Sequence, residues 1–342
     1  MSHFSFRKAL LAGAGVLMLS TAAHAAKPAE QAKIDALQQQ IDDLNAQVSD
    51  LKRSTADQYS DVVEKQSSAK SDVSVSLKNG RPAFKSADGD FSLEIRSLVQ
   101  FDTAYYGQGK SPSGVDFSSG GNFRRARLGV DGTLFKDWSY EFIYDFGGSG
   151  SEGAAISSVF LQYDGLGPLH WKIGAYAPPE NFDDATSASD LLFLERAQPA
   201  DLARGIAGAD GRNATTLFAY DDNYFAALSY TGDSVQDSAV FDEQQALVGR
   251  FAYRLFKGDD SNFAIGADSS YVFKLADTAA GAGSPKALRL RERPELNVDD
   301  NNIRLIDTGT IDASKMLEWG VEAAGNWHNL YAQGGYFNFD VT

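Results

Sequence analysis

The chain has 342 residues, a formal charge of −15 and no cysteine, with a mean hydropathy of −0.30. It is too polar for a bundle of membrane helices, has no thiol for disulfides or thiolate metal sites, and is too acidic for a general nucleic-acid binder. Net charge says little about ion selectivity, which depends on the charges that line the path.

The N-terminus reads as a secretory signal peptide over residues 1–25. Arg7 and Lys8 precede an apolar run, Ala9 to Leu19, and Ala23-His24-Ala25 supplies an A-x-A cleavage site. The run is too short to span a bilayer, and no later stretch reaches ~20 apolar residues. In residues 26–54, Ile34, Leu37, Ile41, Leu44, Val48 and Leu51 recur at alternating spacings of three and four. That is a heptad seam, expected to form a short coiled coil that self-associates. Ser, Lys and Asp dominate residues 55–80, which read as a linker.

From residue 81 to 342 the chain is built of period-two strands. In the first, Phe91, Leu93, Ile95, Val99 and Phe101 alternate with Glu94, Arg96, Gln100 and Asp102. Residues 123–146 form a hairpin in which Ala126, Leu128, Val130, Phe142 and Tyr144 oppose Arg125, Arg127, Asp131, Glu141 and Asp145. Further strands are expected at 155–163, 169–176, 214–220, 224–230, 245–255, 262–274, 316–325 and 329–339. Long connections (107–121, 147–154, 177–213, 231–244, 275–315) alternate with short ones (136–137, 164–168, 221–223, 257–261, 326–328). Aromatic residues gather beside the short turns: Phe135, Trp138, Trp171, Tyr220, Tyr224, Phe256 and Trp327. Short turns at one end, long loops at the other and an aromatic girdle are the signature of an outer-membrane β-barrel. The fold class is therefore all-β, a transmembrane antiparallel barrel with its apolar faces toward lipid and its charged faces toward a water-filled lumen. A soluble ligand-binding barrel would reverse the two faces.

With these strands in view, the chain resembles the phosphate- and polyphosphate-selective porins of bacterial outer membranes. GNFRRARLGVDGTLFKDWSYEFIYDF (121–146), GAYAPPENF (174–182) and FLER (193–196) carry the resemblance, with RERPELN (291–297), DTGTI (307–311) and GVEAAG (320–325) adding to it. It implies a homotrimer of sixteen-stranded barrels that passes small anions such as phosphate. Eleven strands are read here, and single-chain bacterial barrels have even numbers, so the chain is expected to be C-terminally truncated by about five strands.

The expected pore-lining residues are Arg96, Arg124, Arg125, Arg127, Asp131, Glu141, Lys172, Arg250, Arg254 and Lys274. Guanidinium groups offer paired donors to phosphate, so the arginines at 124, 125 and 127 either attract anions or pair with Asp131, Glu141 or Asp145 and hold the wall. The mixed signs do not by themselves establish phosphate selectivity. The long connection after the fifth strand either folds inward as a constriction or lies outside as a lid. If inward, Leu191 to Leu194 would pack on the wall, and Asp183, Asp184, Asp190, Glu195, Arg196 and Arg204 would edge the pore. No enzyme is expected: the two histidines beyond the signal segment, His170 and His328, each adjoin a Trp and form no triad or metal spacing. No cofactor or metal is expected either. The partners are anionic solutes in transit, outer-membrane lipid and two further copies of the chain. The alternative from another class is a structural barrel anchored by its coiled coil to periplasmic partners.

Overall fold

A computed structural model describes residues 28–68, 73–109, 116–148, 155–236, 242–277, 288–293, 296, 298–299 and 303–342. The expected signal peptide lies outside them. The chain divides into two compact units, Met1–Lys70 and Ser71–Thr342.

In the first unit a single helix, α1 (Pro28–Ser68), runs for 41 residues. It extends past the expected end of the heptad segment into the stretch read as a linker. The reason is local: no Gly or Pro interrupts residues 29–68, so nothing terminates the helix there. Leu37, Ile41, Leu44, Val48 and Leu51 all remain exposed along it.

The second unit is an all-β, antiparallel structure. Its strands are β1 (Val73–Lys78), β2 (Arg81–Ser86), β3 (Ser92–Ala104), β4 (Gly120–Leu134), β5 (Trp138–Asp145), β6 (Ala155–Leu166), β7 (Leu169–Tyr176), β8 (Arg212–Tyr220), β9 (Tyr224–Ser234), β10 (Gln245–Lys257), β11 (Ser261–Lys274), β12 (Arg291–Glu292), β13 (Ile306–Asp307), β14 (Met316–Trp327) and β15 (Leu330–Val341). Thirteen form one sheet in chain order, with β1 and β15 at its edges, while β12 and β13 pair separately. All eleven strands read from the sequence lie in this sheet. The hairpin β1–β2 adds two more, where a linker was expected. Its turn is Asn79-Gly80, both at positive φ, which is the type I′ geometry that Asn-Gly favours.

The sheet is apolar outside and polar inside. Leu128, Leu217, Leu228, Phe251, Ile265 and Val321 are exposed, Leu228 by 58%, whereas Thr216, Ser229, Ser270 and Glu318 are buried to 1% or less. Strand register lines up the inner residues: Lys172, Thr216, Ser229, Val248, Ser270 and Glu318 sit opposite one another from β7 to β14. This is the reverse of a soluble barrel, where the apolar side chains turn inward.

One apolar patch does face inward, near the long-loop end. Ala246, Val248, Val272, Leu275, Ala313 and Met316 form it, covered by Ile206 and Ala207. Those two residues belong to α3 (Gln198–Ala207), which together with the short α2 (Phe182–Ala185) makes up much of the connection after β7. Pro199 opens α3, and Ala200, Ala203, Ile206 and Ala207 form its buried face.

Candidate functional site

The connection 177–211 lies against the polar face of the sheet, tied to widely separated strands. On β14, Glu322 Oε2 accepts from the Phe182 backbone N–H at 2.7 Å. On β10, Arg250 Nη1 donates to the Asn181 carbonyl at 2.7 Å. On β11, the Ser270 hydroxyl donates to Glu180 Oε1 at 3.1 Å. On β15, Gln333 Nε2 donates to Asp183 Oδ1 at 2.8 Å.

The strongest tie is to β4. Arg125 Nη1 and Nη2 grip Glu195 bidentately at 2.6 and 2.8 Å, and Arg124 Nε reaches the same carboxylate at 3.1 Å. Consecutive strand residues normally face opposite sides. The register explains the exception: Gln100 pairs with Arg125 and Phe101 with Phe123, so Arg124 is the extra residue of a bulge. Burial works to raise the Glu195 carboxyl, but Arg125, Arg124 and Arg196 outweigh it and hold it below the usual range. Two guanidinium groups on one carboxylate leave a net positive charge.

Arg127 bridges wall and loop, with Nε to Asp145 and Nη2 to Asp210, both at 2.7 Å. Within the loop, Arg204 binds Asp184 at 2.5 Å, Asp210 at 2.8 Å and Asp201 at 3.1 Å. Burial pushes Asp210 up, yet Arg204, Arg127 and Arg196 together hold it far below an ordinary aspartate. Arg196 spends its donors on the carbonyls of Asp183 and Thr186. Asp190 is exposed at the loop tip.

The remaining wall residues spread along the sheet. Arg96 approaches Asp131 at 3.4 Å. Glu94, Asp131 and Glu141 stand side by side in register, an acidic row on β3, β4 and β5. Lys172 lies over the Phe160 and Tyr176 rings, 3.7 and 4.2 Å from their centres. Arg254 is near the short-turn end of β10, and Lys274 binds Asp242 at 2.8 Å at the long-loop end of β11. Arg125 therefore pairs with the loop, and Arg127 with Asp145 and the loop. No bond from either to Asp131 or Glu141 is present among the described residues.

Leu192, Phe193 and Leu194 do not pack on the wall but are 66–82% exposed, while Leu191 is half-buried. The buried face of α3 takes that role, since its small residues fit against the patch on β10 and β11. The loop tip instead borders two cavities. One, of about 700 Å³, lies toward Leu98, Gln100 and Asp102 of β3. The other, of about 770 Å³, lies toward Tyr331, Gln333 and Phe337 of β15.

Sequence reasoning passed over Glu180, Asn181 and Asp210. Asn181 was the readable one: its side chain caps α2 by accepting from the Asp184 N–H at 2.8 Å, the usual task of Asn before a helix. Glu180 is fully buried, and burial, with Asp184 and Asp268 close by, pushes its carboxyl up to about 8.

Residues 93–342 match the model of a family described as phosphate-selective porin O and P. The chain is 27% identical over 266 residues to an uncharacterized protein of Caulobacter vibrioides, covering 73% of this chain and 49% of that one. It is 24% identical over 170 residues to Porin O of Pseudomonas aeruginosa, covering 49% of this chain and 38% of that one. The chain thus spans half or less of the length of these relatives.

Proposed function

The chain belongs to the phosphate-selective porin O and P family, and from that premise we propose that it forms part of a trimeric outer-membrane porin through which small anions of the phosphate type diffuse passively. The observation that carries this reading is the inverted sheet. Exposed Leu, Ile, Val and Phe on its outer face suit lipid, and the buried charges on its inner face suit water. Family membership points to a channel rather than an enzyme, and diffusion through a lined pore needs no cofactor.

The loop 177–211 is the constriction. It narrows the lumen by its bulk and sets the field with the residues of its wall. Arg124 and Arg125 together outweigh Glu195, Lys172 carries a cation on β7, three strands along the same sheet, and Arg196 adds a charge whose bonds among the described residues go to carbonyls. Transit requires attraction weak enough to release the ion, and partial neutralisation by Glu195, Asp145 and Asp210 supplies that. The aromatic residues beside the short turns, Phe135, Tyr220, Phe256 and Trp327, are exposed and form the periplasmic girdle. The signal peptide delivers the chain there. The exposed heptad stripe of α1 joins three copies.

Planar-bilayer recording under chloride and phosphate gradients tests the proposal. Stable conductance with an anion-favouring reversal potential, diminished in Lys172→Ala, is the expected result. A cation-favouring reversal would keep the pore and remove the phosphate assignment.

A further inference from the structure

Glu180, Asp268 and Glu318 come from the loop, β11 and β14, and each offers a carboxylate oxygen within 4.8 Å of the other two. All three residues are at least nine-tenths buried: Glu180 and Glu318 at 0% and Asp268 at 5% exposure. Their six oxygens have few donors. Ser270 donates its backbone N–H to Glu318 Oε2 at 3.2 Å and its hydroxyl to Glu180 Oε1 at 3.1 Å. The other four, Glu180 Oε2, both oxygens of Asp268 and Glu318 Oε1, have no N–H or hydroxyl donor among the described residues, and Asp268 and Glu318 face each other closely enough to contact as carboxyl and carboxylate. Buried polar oxygens without partners are rare, and each calls for an explanation.

The neighbouring cations do not provide it. Arg204 is committed to Asp184, Asp201 and Asp210. Arg250 donates to the Asn181 carbonyl and stands 3.6 Å from Glu322. The backbone, meanwhile, makes room for the cluster. Gly320 is opposite Asp268 in the β11–β14 register, and a Cβ there would lie 2.6 Å from Asp268 Oδ2.

We propose that Glu180, Asp268 and Glu318 bind a divalent cation of calcium size, which clamps the constriction loop to the wall. The donor set is oxygen only, as hard cations prefer, with no nitrogen or sulfur to select zinc. Three carboxylates and the Ser270 hydroxyl supply enough oxygens for a shell that water completes. Calcium suits the cluster better than magnesium. It tolerates irregular shells and sheds its water readily, whereas magnesium demands a tight octahedron and keeps several waters. The sequence hid the site because its three ligands lie on segments far apart along the chain.

The test is equilibrium dialysis of radiolabelled calcium against the detergent-solubilised protein after chelation. Saturable binding of about one ion per chain is expected, in the micromolar to millimolar range. Asp268→Asn and Glu318→Gln, which keep side-chain shape, should each weaken it by more than about tenfold. In the unsubstituted protein, calcium should also slow protease cleavage within 177–211 several-fold, a readout that does not depend on either variant folding. Absence of saturable binding up to millimolar calcium overturns the proposal. So does binding that survives both substitutions. An infrared band of a protonated carboxyl that disappears in Glu318→Gln would then assign protons to the cluster instead.

Discussion

Glu195 is the residue on which the charge of the loop's contact with β4 turns. It sits under two guanidinium groups that a bulge in β4 brings to the same side. Glu195→Gln keeps the shape and one acceptor but removes the negative charge. The reversal potential should shift toward anions, while the folded protein persists in detergent. Low salt should enlarge the shift, because screening between the site and ions in solution weakens as the Debye length grows.

Asp210 is a second such point, and it has a pH signature. Its folded pKa is held below the ordinary carboxylate value by Arg204, Arg127 and Arg196. A depressed carboxylate stabilises the folded state above its unfolded pKa of about 4, and that stability is lost as the pH falls through the lower folded value. Loop docking should therefore hold from neutral pH to about 4 and loosen only in stronger acid. Asp210→Asn should dock more weakly at neutral pH and lose much of the acid dependence, as read by protease cleavage within 177–211.

At the scale of the element, α3 is the part that seats the loop. Ile206 and Ala207 cover the inward apolar patch of β10, β11 and β14. Ile206→Ala removes buried methyl groups and leaves a cavity, a change that costs about 2–5 kcal/mol. Because the strands do not depend on this contact, the loop should loosen before the sheet does. Single-channel current should become larger or noisier, with far-ultraviolet circular dichroism unchanged.

The elements also show what a sequence can and cannot display. Strands with one apolar and one charged face, such as β4, β5 and β14, were legible because the period-two pattern is the pattern of burial itself. The β1–β2 hairpin was missed, although Val73, Val75 and Leu77 alternate and Asn79-Gly80 marks its turn. All of β1 is exposed, so no buried face reinforced the signal. The arginines of β4 and Glu195 were each legible as candidate residues, but their pairing was not. Side-chain pairing across 70 residues depends on where a loop folds, and no local pattern encodes that.

At the scale of the whole molecule, two features call for partners in different ways. The sheet presents an apolar outer face of the kind a bilayer covers, and α1 presents an exposed stripe of Leu, Ile and Val. If the protein is a pore, removing residues 28–54 should lower the stability of the assembly while leaving unit conductance unchanged in planar bilayers. If the protein is instead a structural anchor, the same deletion should abolish its attachment to the cell wall fraction.

The ties of the loop also impose an order of events. Glu195 waits for a strand already made, since Arg125 lies 70 residues earlier. Phe182 and Asp183, by contrast, need Glu322 and Gln333, which lie 140 and 150 residues later. Contacts of such sequence separation form slowly, because the intervening chain must first be ordered. The loop can therefore fasten at one end while the sheet is still growing and can lock at the other only after β14 and β15 have paired. If the loop is a constriction, the passage starts wide during biogenesis and narrows once β14 and β15 have paired, so an assembly intermediate should leak solutes that the finished protein holds back.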